Sequence, residues 1–71
     1  MMAEKMKIPE LVRELRTRAG MTQHQLEEAA GLAWNSVGRI ERGVIDIKGT
    51  HLLRIIEVTG HEFVIRRASN E

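Results

Sequence analysis

Three histidines are the side chains best suited to acid–base or metal chemistry in this 71-residue chain. His24 precedes Glu28 by four residues, a spacing that places both on one face of a helix, where they could ligate a metal. No third ligand is evident for this pair, and a surface salt-linked pair is far more common. The sequence has no nucleophile motif and no glycine-rich phosphate loop. It therefore predicts no catalytic residue, no metal site and no cofactor, and the protein is not expected to be an enzyme.

Basic side chains are the second group with a chemical use, and they fall into clusters: Arg13, Arg16 and Arg18; Arg39, Arg42 and Lys48; Arg66 and Arg67. The net charge is only +1. The sequence pI of about 8.3 is below the value near 9 that is typical of strongly basic nucleic-acid-binding domains. Charge alone is thus weak support for a nucleic-acid partner, and any single cluster is more often an ordinary solvated face.

The length of the chain predicts one domain over residues 1–71 with a thin core, since a chain of this size hides about 60% of its unfolded surface. There is no cysteine to form a disulfide or a thiolate metal site. Self-association is therefore the expected supplement to stability. No signal peptide is recognisable, and no apolar run approaches the roughly 20 residues of a membrane span. We expect a cytoplasmic protein with no membrane partner.

Glycines divide the chain, because each of four follows a segment with helical spacing: Gly20, Gly31, Gly43 and Gly60. A glycine just past a helix can adopt the left-handed conformation that closes the last turn. The pattern predicts an all-α fold with four helices, over about 9–19, 22–30, 34–42 and 50–59. Disorder is expected at both ends, in residues 1–6 and 68–71.

The second and third predicted helices form a recognisable unit. Thr22 and Gln25 have the spacing of a capping box at the start of the second helix. Gly31 permits a sharp turn, and Val37 and Ile40 give the third helix an inner face. Two short helices joined in this way place the second of them in the DNA major groove.

The helices flank segments with a different pattern. Ile45 and Ile47 alternate with polar residues and are expected to tuck under the core. Thr50 is expected to cap the fourth helix.

The segment from His61 to Arg67 changes period and is rich in β-branched and aromatic residues, which predicts a strand over 61–67. A lone strand needs a partner for its N–H and C=O groups. The same strand of a second copy, paired antiparallel across a two-fold axis, is the simplest partner. Phe63, Val64 and Ile65 are therefore predicted to form the interface of a homodimer. A fifth short helix or a frayed tail remains open as an alternative.

Three blocks in order carry a resemblance to a known family: Met-Thr-Gln-His-Gln-Leu at 21–26, Ala-Gly-Leu at 30–32 and Val-Gly-Arg-Ile-Glu-Arg-Gly at 37–43. With the later Leu-Leu-Arg-Ile-Ile-Glu-Val, the chain resembles the lambda-repressor-like helix-turn-helix family, also called Xre or Cro-type, over roughly residues 9–60. The resemblance implies a compact four-helix domain that binds double-stranded DNA through its third helix.

The resemblance also implies roles for individual residues. Those expected to contact DNA are Thr22, Gln23, Trp34, Asn35, Ser36, Arg39, Arg42 and Lys48. Asparagine can make a bidentate contact to adenine and arginine to guanine, which agrees with the places of Asn35 and Arg39. Trp34 is unusual at its position, and packing on its own domain or on a partner is an almost equal alternative. Arg16 and Glu41 match a pair that forms a structural salt bridge in the family.

Three residues depart from the family pattern. Glu27 stands where the family usually has a small residue, so it must swing out, pair with an arginine or splay the two helices. Gly38 lies inside the third helix and costs about 1 kcal/mol relative to alanine. Ala33 replaces the usual serine or threonine cap, which loses roughly another 1 kcal/mol. The third helix is therefore predicted to be soft in the free protein and to become firm on DNA.

The function expected from these features is that of a homodimeric repressor that binds an inverted-repeat operator. Two reading helices would enter successive major grooves about 34 Å apart. The alternative is an antitoxin that binds both its operator and a toxin protein, because a strand after the fourth helix is similar to that of HipB-like antitoxins, whose dimers join through such strands. A protein-binding module without DNA binding is a less favoured interpretation than either of these.

Overall fold

Four helices make up the regular structure of this protein in a computed structural model that describes residues 6–67. They are α1 (Ile8–Arg18), α2 (Gln23–Ala30), α3 (Ser36–Glu41) and α4 (Gly49–Val58). The described range contains no strand. None of its helices is both long and apolar enough to traverse a bilayer. The all-helical architecture expected from the glycine spacing is thus present.

The helix ends follow local sequence signals at most positions. All four glycines that were predicted to stop helices have positive φ. The capping box of α2 is also present: Thr22 Oγ1 accepts a hydrogen bond of 3.0 Å from the Gln25 N–H, and Gln25 Oε1 accepts one of 2.9 Å from the Thr22 N–H. These signals act within a few residues of chain, which is why the sequence alone reveals them.

The predicted start of α3 and the predicted cap of α4 were wrong. α3 begins at Ser36 rather than at Trp34, because the preceding turn is closed by the Ser36 N–H, which donates to the carbonyl of Ala33 at 3.1 Å. α4 begins at Gly49, and Lys48 holds the cap position that was expected of Thr50. Thr50 lies instead within the first turn of α4.

The core is built from two apolar residues of each helix: Val12 and Leu15, Leu26 and Ala30, Val37 and Ile40, Ile55 and Ile56. α3 packs against both α1 and α2, and α4 closes the other side of α1 and α2. Ile47 joins the core from the loop as predicted, whereas Ile45 is exposed. One face of α3 is therefore anchored in the core by neighbours on both sides.

Residues 61–67 follow α4 without regular secondary structure in the single chain. Phe63, Val64 and Ile65 are 55%, 60% and 85% exposed. The strand expected there would need a second copy and stays a prediction. The disorder expected at 1–6 and 68–71 lies outside the described residues, apart from Met6, which is exposed.

Candidate nucleic-acid interface

The turn between α2 and α3 is closed by the end of α2 and held by a contact from α4. Gly31 ends α2 in the left-handed conformation, with φ of 69°. Arg54 of α4 reaches over and donates from Nη1 to the carbonyl of Ala30 at 3.2 Å. A Cβ at Gly31 would lie 3.2 Å from that same nitrogen, so glycine suits both the conformation and the space. The sequence analysis did not single out Arg54. The one feature that could have indicated its role is that it is a basic residue within the most apolar helix.

α3 presents one face to solvent and buries the other. Val37 and Ile40 are buried, whereas Arg39 is exposed. Arg39 follows Val37 by two residues, which places it about 200° around the helix, on the opposite side. The helix therefore offers Arg39 to a partner while its inner face stays in the core.

The loop flanks of α3 add further exposed polar and cationic groups. Trp34 and Asn35 before the helix are exposed, as are Arg42 and Lys48 after it. Within residues 6–67, no carboxylate lies at salt-bridge distance from Arg39, Arg42 or Lys48. These cations are available to meet an anionic partner.

Asn35 stands immediately before α3 in the left-handed conformation, with φ of 69°, which no other non-glycine residue of the described chain adopts. Asparagine tolerates this conformation better than most residues. Its side chain makes no capping bond to the helix. The Ser36 hydroxyl is also directed backwards and donates to the carbonyl of Ala33 at 2.6 Å. The cap position had been expected at Ala33 but is held by Asn35. Asn35 provides no side-chain cap.

Glu27 supplies a hydrogen bond to this helix from α2. The residue is only 2% exposed, and its Oε2 accepts from the backbone N–H of Val37 at 3.0 Å. Its Oε1 lies 2.9 Å from Nδ1 of His24. None of the three outcomes expected for Glu27 occurs: it neither swings out nor pairs with an arginine, and α2 and α3 remain packed. His24 pairs with Glu27, one turn along α2, rather than with Glu28.

The protonation of Glu27 follows from these contacts. Burial raises the pKa of its carboxyl, but hydrogen bonds from His24 and from the backbone N–H groups of Val37 and Asn35 outweigh burial, so the pKa lies below its ordinary value of 4.5. Glu27 is therefore an ionised carboxylate near neutral pH.

Trp34 stacks on His24. The two ring centroids are 3.5 Å apart and the planes are inclined by 5°. The side of Trp34 away from His24 faces solvent, since the residue is 67% exposed. The tryptophan thus packs on its own domain and still offers a flat apolar face beside α3. Sequence reasoning did not single out His24 for this role.

A second buried carboxylate joins α1, α2 and α3. Arg16 donates from Nε to Oε2 of Glu41 at 2.7 Å and from Nη2 to Oε1 at 3.1 Å, which is the salt bridge that the family resemblance implied. Gln23 donates from Nε2 to the same Oε1 at 3.1 Å. Burial raises the pKa of Glu41, but hydrogen bonds from Arg16 and Gln23 and the nearby arginine charges lower it overall. The Glu41 bond in turn raises the pKa of Arg16.

Gly38 makes room for this network. A Cβ there would lie 3.2 Å from Oε1 of Gln23 and 3.4 Å from Nη1 of Arg42. Gly38 has a low helix propensity, which disfavours α3, but its missing side chain lets the Gln23 side chain lie close against the helix. Gln23 and Thr22, both expected to contact DNA, are engaged within the free protein, Gln23 with Glu41 and Thr22 in its capping box.

The described residues hold no group of three or more His, Cys, Asp or Glu placed to bind a metal.

In a comparison with protein families, residues 12–63 match a family model described as helix-turn-helix. No curated protein and no solved structure matches the chain. The matched range covers α2, α3, α4 and most of α1, and so includes the whole of the surface described above.

Proposed function

Because this chain belongs to the lambda-repressor-like, or Xre-type, helix-turn-helix family of DNA-binding transcriptional regulators, we propose that it is a cytoplasmic repressor. In this proposal it acts as a homodimer on an inverted-repeat operator. The family is a DNA-binding one rather than an enzymatic one. The observation that carries the proposal is α3 itself, which is fixed on one face by the core and leaves Arg39 on the other.

Base reading in this proposal falls to Asn35, Ser36 and Arg39. Arginine pairs with the O6 and N7 atoms of guanine, and asparagine with the N6 and N7 atoms of adenine. The solvent face of Trp34 would lie against a thymine methyl group. The exposure of Trp34, Asn35 and Arg39 around the start of α3 supports the assignment, and Ser36 between them is partly exposed.

Phosphate contacts fall to Arg42 and Lys48, with Thr22 and Gln23 at the start of α2. The two cations have no acidic partner in the described chain. Gln23 would reach a phosphate by exchanging its bond to Glu41. Contacts of this kind release counterions, so affinity should fall steeply with salt.

The homodimer would form by antiparallel pairing of residues 61–67 from two copies. Within the described residues, no backbone hydrogen bond joins residues 62–67 to the rest of the chain. Three consecutive apolar side chains in this segment, Phe63, Val64 and Ile65, are mostly exposed. Pairing would satisfy the backbone groups and cover the side chains together.

An antitoxin is the second candidate function. The same apolar segment, followed by the basic pair Arg66 and Arg67, would suit a toxin protein as well as a second copy. Co-purification of a second protein with the chain from its native host distinguishes an antitoxin from a free-standing repressor.

Selection of bound DNA from a random pool tests the proposal. An inverted repeat with half-sites one helical turn apart is the expected result. Deletion of residues 62–71 should convert the dimer, measured by mass in solution, to a monomer that selects at most one half-site. A pool without enrichment contradicts DNA reading, and a monomeric parent contradicts the pairing of the C-terminal segments.

A further inference from the structure

α3 is a six-residue helix whose first turn lacks a cap from its own chain segment. A capping side chain normally accepts from the second or third backbone N–H of a helix. The second N–H of α3 belongs to Val37, and its acceptor is Oε2 of Glu27 at 3.0 Å. A side chain of α2, ten residues earlier in the chain, thus occupies the place of the missing cap.

The charge of Glu27 suits this position. The N-terminus of a helix carries partial positive charge, so a carboxylate is favourable there. A carboxylate that is only 2% exposed must nevertheless be hydrogen-bonded, because an unpaired buried charge is costly. The bond from Val37 satisfies one oxygen and leaves the other in need of a donor.

His24 supplies that donor. An ionised carboxylate can only accept, so the hydrogen between Oε1 and Nδ1 of His24, 2.9 Å apart, is on the histidine. The ring of His24 is held in turn by its stack on Trp34. The carboxylate of Glu27 is therefore hydrogen-bonded on one side to α3 and on the other to His24, whose ring stacks on Trp34 across the turn.

We propose that Glu27 is a positioning residue for DNA reading: its carboxylate, oriented by His24 beneath Trp34, fixes the first turn of α3 so that Asn35, Ser36 and Arg39 meet the base edges in register. This inference rests on the proposed function, because it takes α3 as the element that enters the groove. It also predicts that α3 is firm in the free protein, contrary to the expectation of a soft third helix, since α3 is capped from outside its own segment.

Three variants of the full-length chain test the proposal: Glu27→Ala, Glu27→Gln and, as a matched control, Glu28→Ala. Glu28 is an exposed neighbour on α2. The amide oxygen of a glutamine can still accept from Val37, whereas alanine removes the acceptor. The readouts are hydrogen exchange at the Val37 amide, the fluorescence of the only tryptophan, and affinity for the DNA selected from a random pool over random DNA.

Glu27→Ala should raise Val37 amide exchange about tenfold or more, as expected for loss of a hydrogen bond to a charged group. Exchange at Ile55 and Ile56 in the core should change much less. The emission of Trp34 should shift as His24 loses its partner, and the ratio of selected to random DNA affinity should fall about tenfold. Glu27→Gln should stay within about threefold of the parent in exchange and affinity, and Glu28→Ala should match the parent.

Parent-like exchange at Val37 in Glu27→Ala would overturn the capping role. Equal losses in Glu27→Gln and Glu27→Ala would also overturn it, because they would show that the bond to Val37 is not what matters. If Glu27→Ala does not fold, Glu27→Gln and His24→Ala decide by the same readouts. If the exchange results are as expected while the parent reads no DNA sequence, it is the proposed function that fails rather than the cap.

Discussion

The side-chain amide of Gln23 donates a 3.1 Å hydrogen bond to Oε1 of Glu41, which ties the start of α2 to the end of α3. The same carboxylate takes two hydrogen bonds from Arg16 of α1, and its side chain is only 1% exposed. Three helices therefore meet at one buried charge. Each partner of Glu41 holds α3 against the body of the domain, and the consequences of removing them can be measured.

Glu41→Ala should destabilise the protein by about 3 kcal/mol, because loss of one partner leaves the other charge of a buried pair uncompensated. Urea unfolding measures the free energy. Arg13→Ala is the control: Arg13 is largely exposed and its Nε lies 3.6 Å from Glu41 Oε1, so its loss should cost less than about 1 kcal/mol. Equal losses in the two variants would contradict a central role for the Arg16 pair.

Stability should decline in acid. The pKa values of Glu27 and Glu41 are lower in the folded protein than their ordinary value of 4.5. The unfolded chain therefore takes up protons first as pH falls, so the stabilisation is complete above about 4.5 and is lost as pH falls through the folded pKa values. Urea unfolding across this range measures the slope, which should be shallower in Glu27→Gln/Glu41→Gln. A parent slope equal to that of the double variant would contradict this account.

Asn35 has a conformational role as well as the proposed reading role, and two substitutions separate them. Asn35→Ala should cost about 1 kcal/mol of stability, because alanine is strained at positive φ, whereas Asn35→Gly should be close to neutral. Asn35→Gly is therefore the cleaner test of reading and should relax specificity at one base pair by about 1–3 kcal/mol. Unchanged specificity in the glycine variant would remove Asn35 from the set of base readers.

Lys48→Ala should weaken binding to all DNA sequences alike and should reduce the slope of log affinity against log salt by about 1, as expected for the loss of one phosphate contact. Binding titrations at several salt concentrations measure this slope. The control is Arg18→Ala, because Arg18 is tied to Glu14 at 2.6 Å within α1. A slope that falls only in Arg18→Ala would place the phosphate contact on α1 instead.

The sequence predicted the features that depend on neighbouring residues. The capping box of Thr22 and Gln25 and the left-handed glycines act over a few residues, and the inner face formed by Val37 and Ile40 needs only helical geometry. The start of α3 was misjudged because the turn from Ala33 to Ser36 competes with the helix for the same backbone groups.

The features that the sequence did not reveal depend on contacts between helices. Glu27 looked misplaced because its partner, the Val37 N–H, is a backbone group that carries no side-chain signal. Gln23 was assigned only to DNA contact because its bond to Glu41 spans 18 residues of chain. Gly38 looked like a weakness because the side chain that it accommodates comes from α2.

The brevity of α3 limits how much information one copy can read. Six residues at 1.5 Å each give a helix about 9 Å long, which spans about three base pairs at 3.4 Å per pair. Two copies would then specify about six base pairs, or roughly 12 bits of sequence information. A pattern of that length occurs by chance about once in 4,000 positions, whereas a genome offers about a million or more competing sites. For a dimer of the proposed kind, direct contacts therefore select a set of sites, and the choice among them depends on the bendability of the DNA between the half-sites.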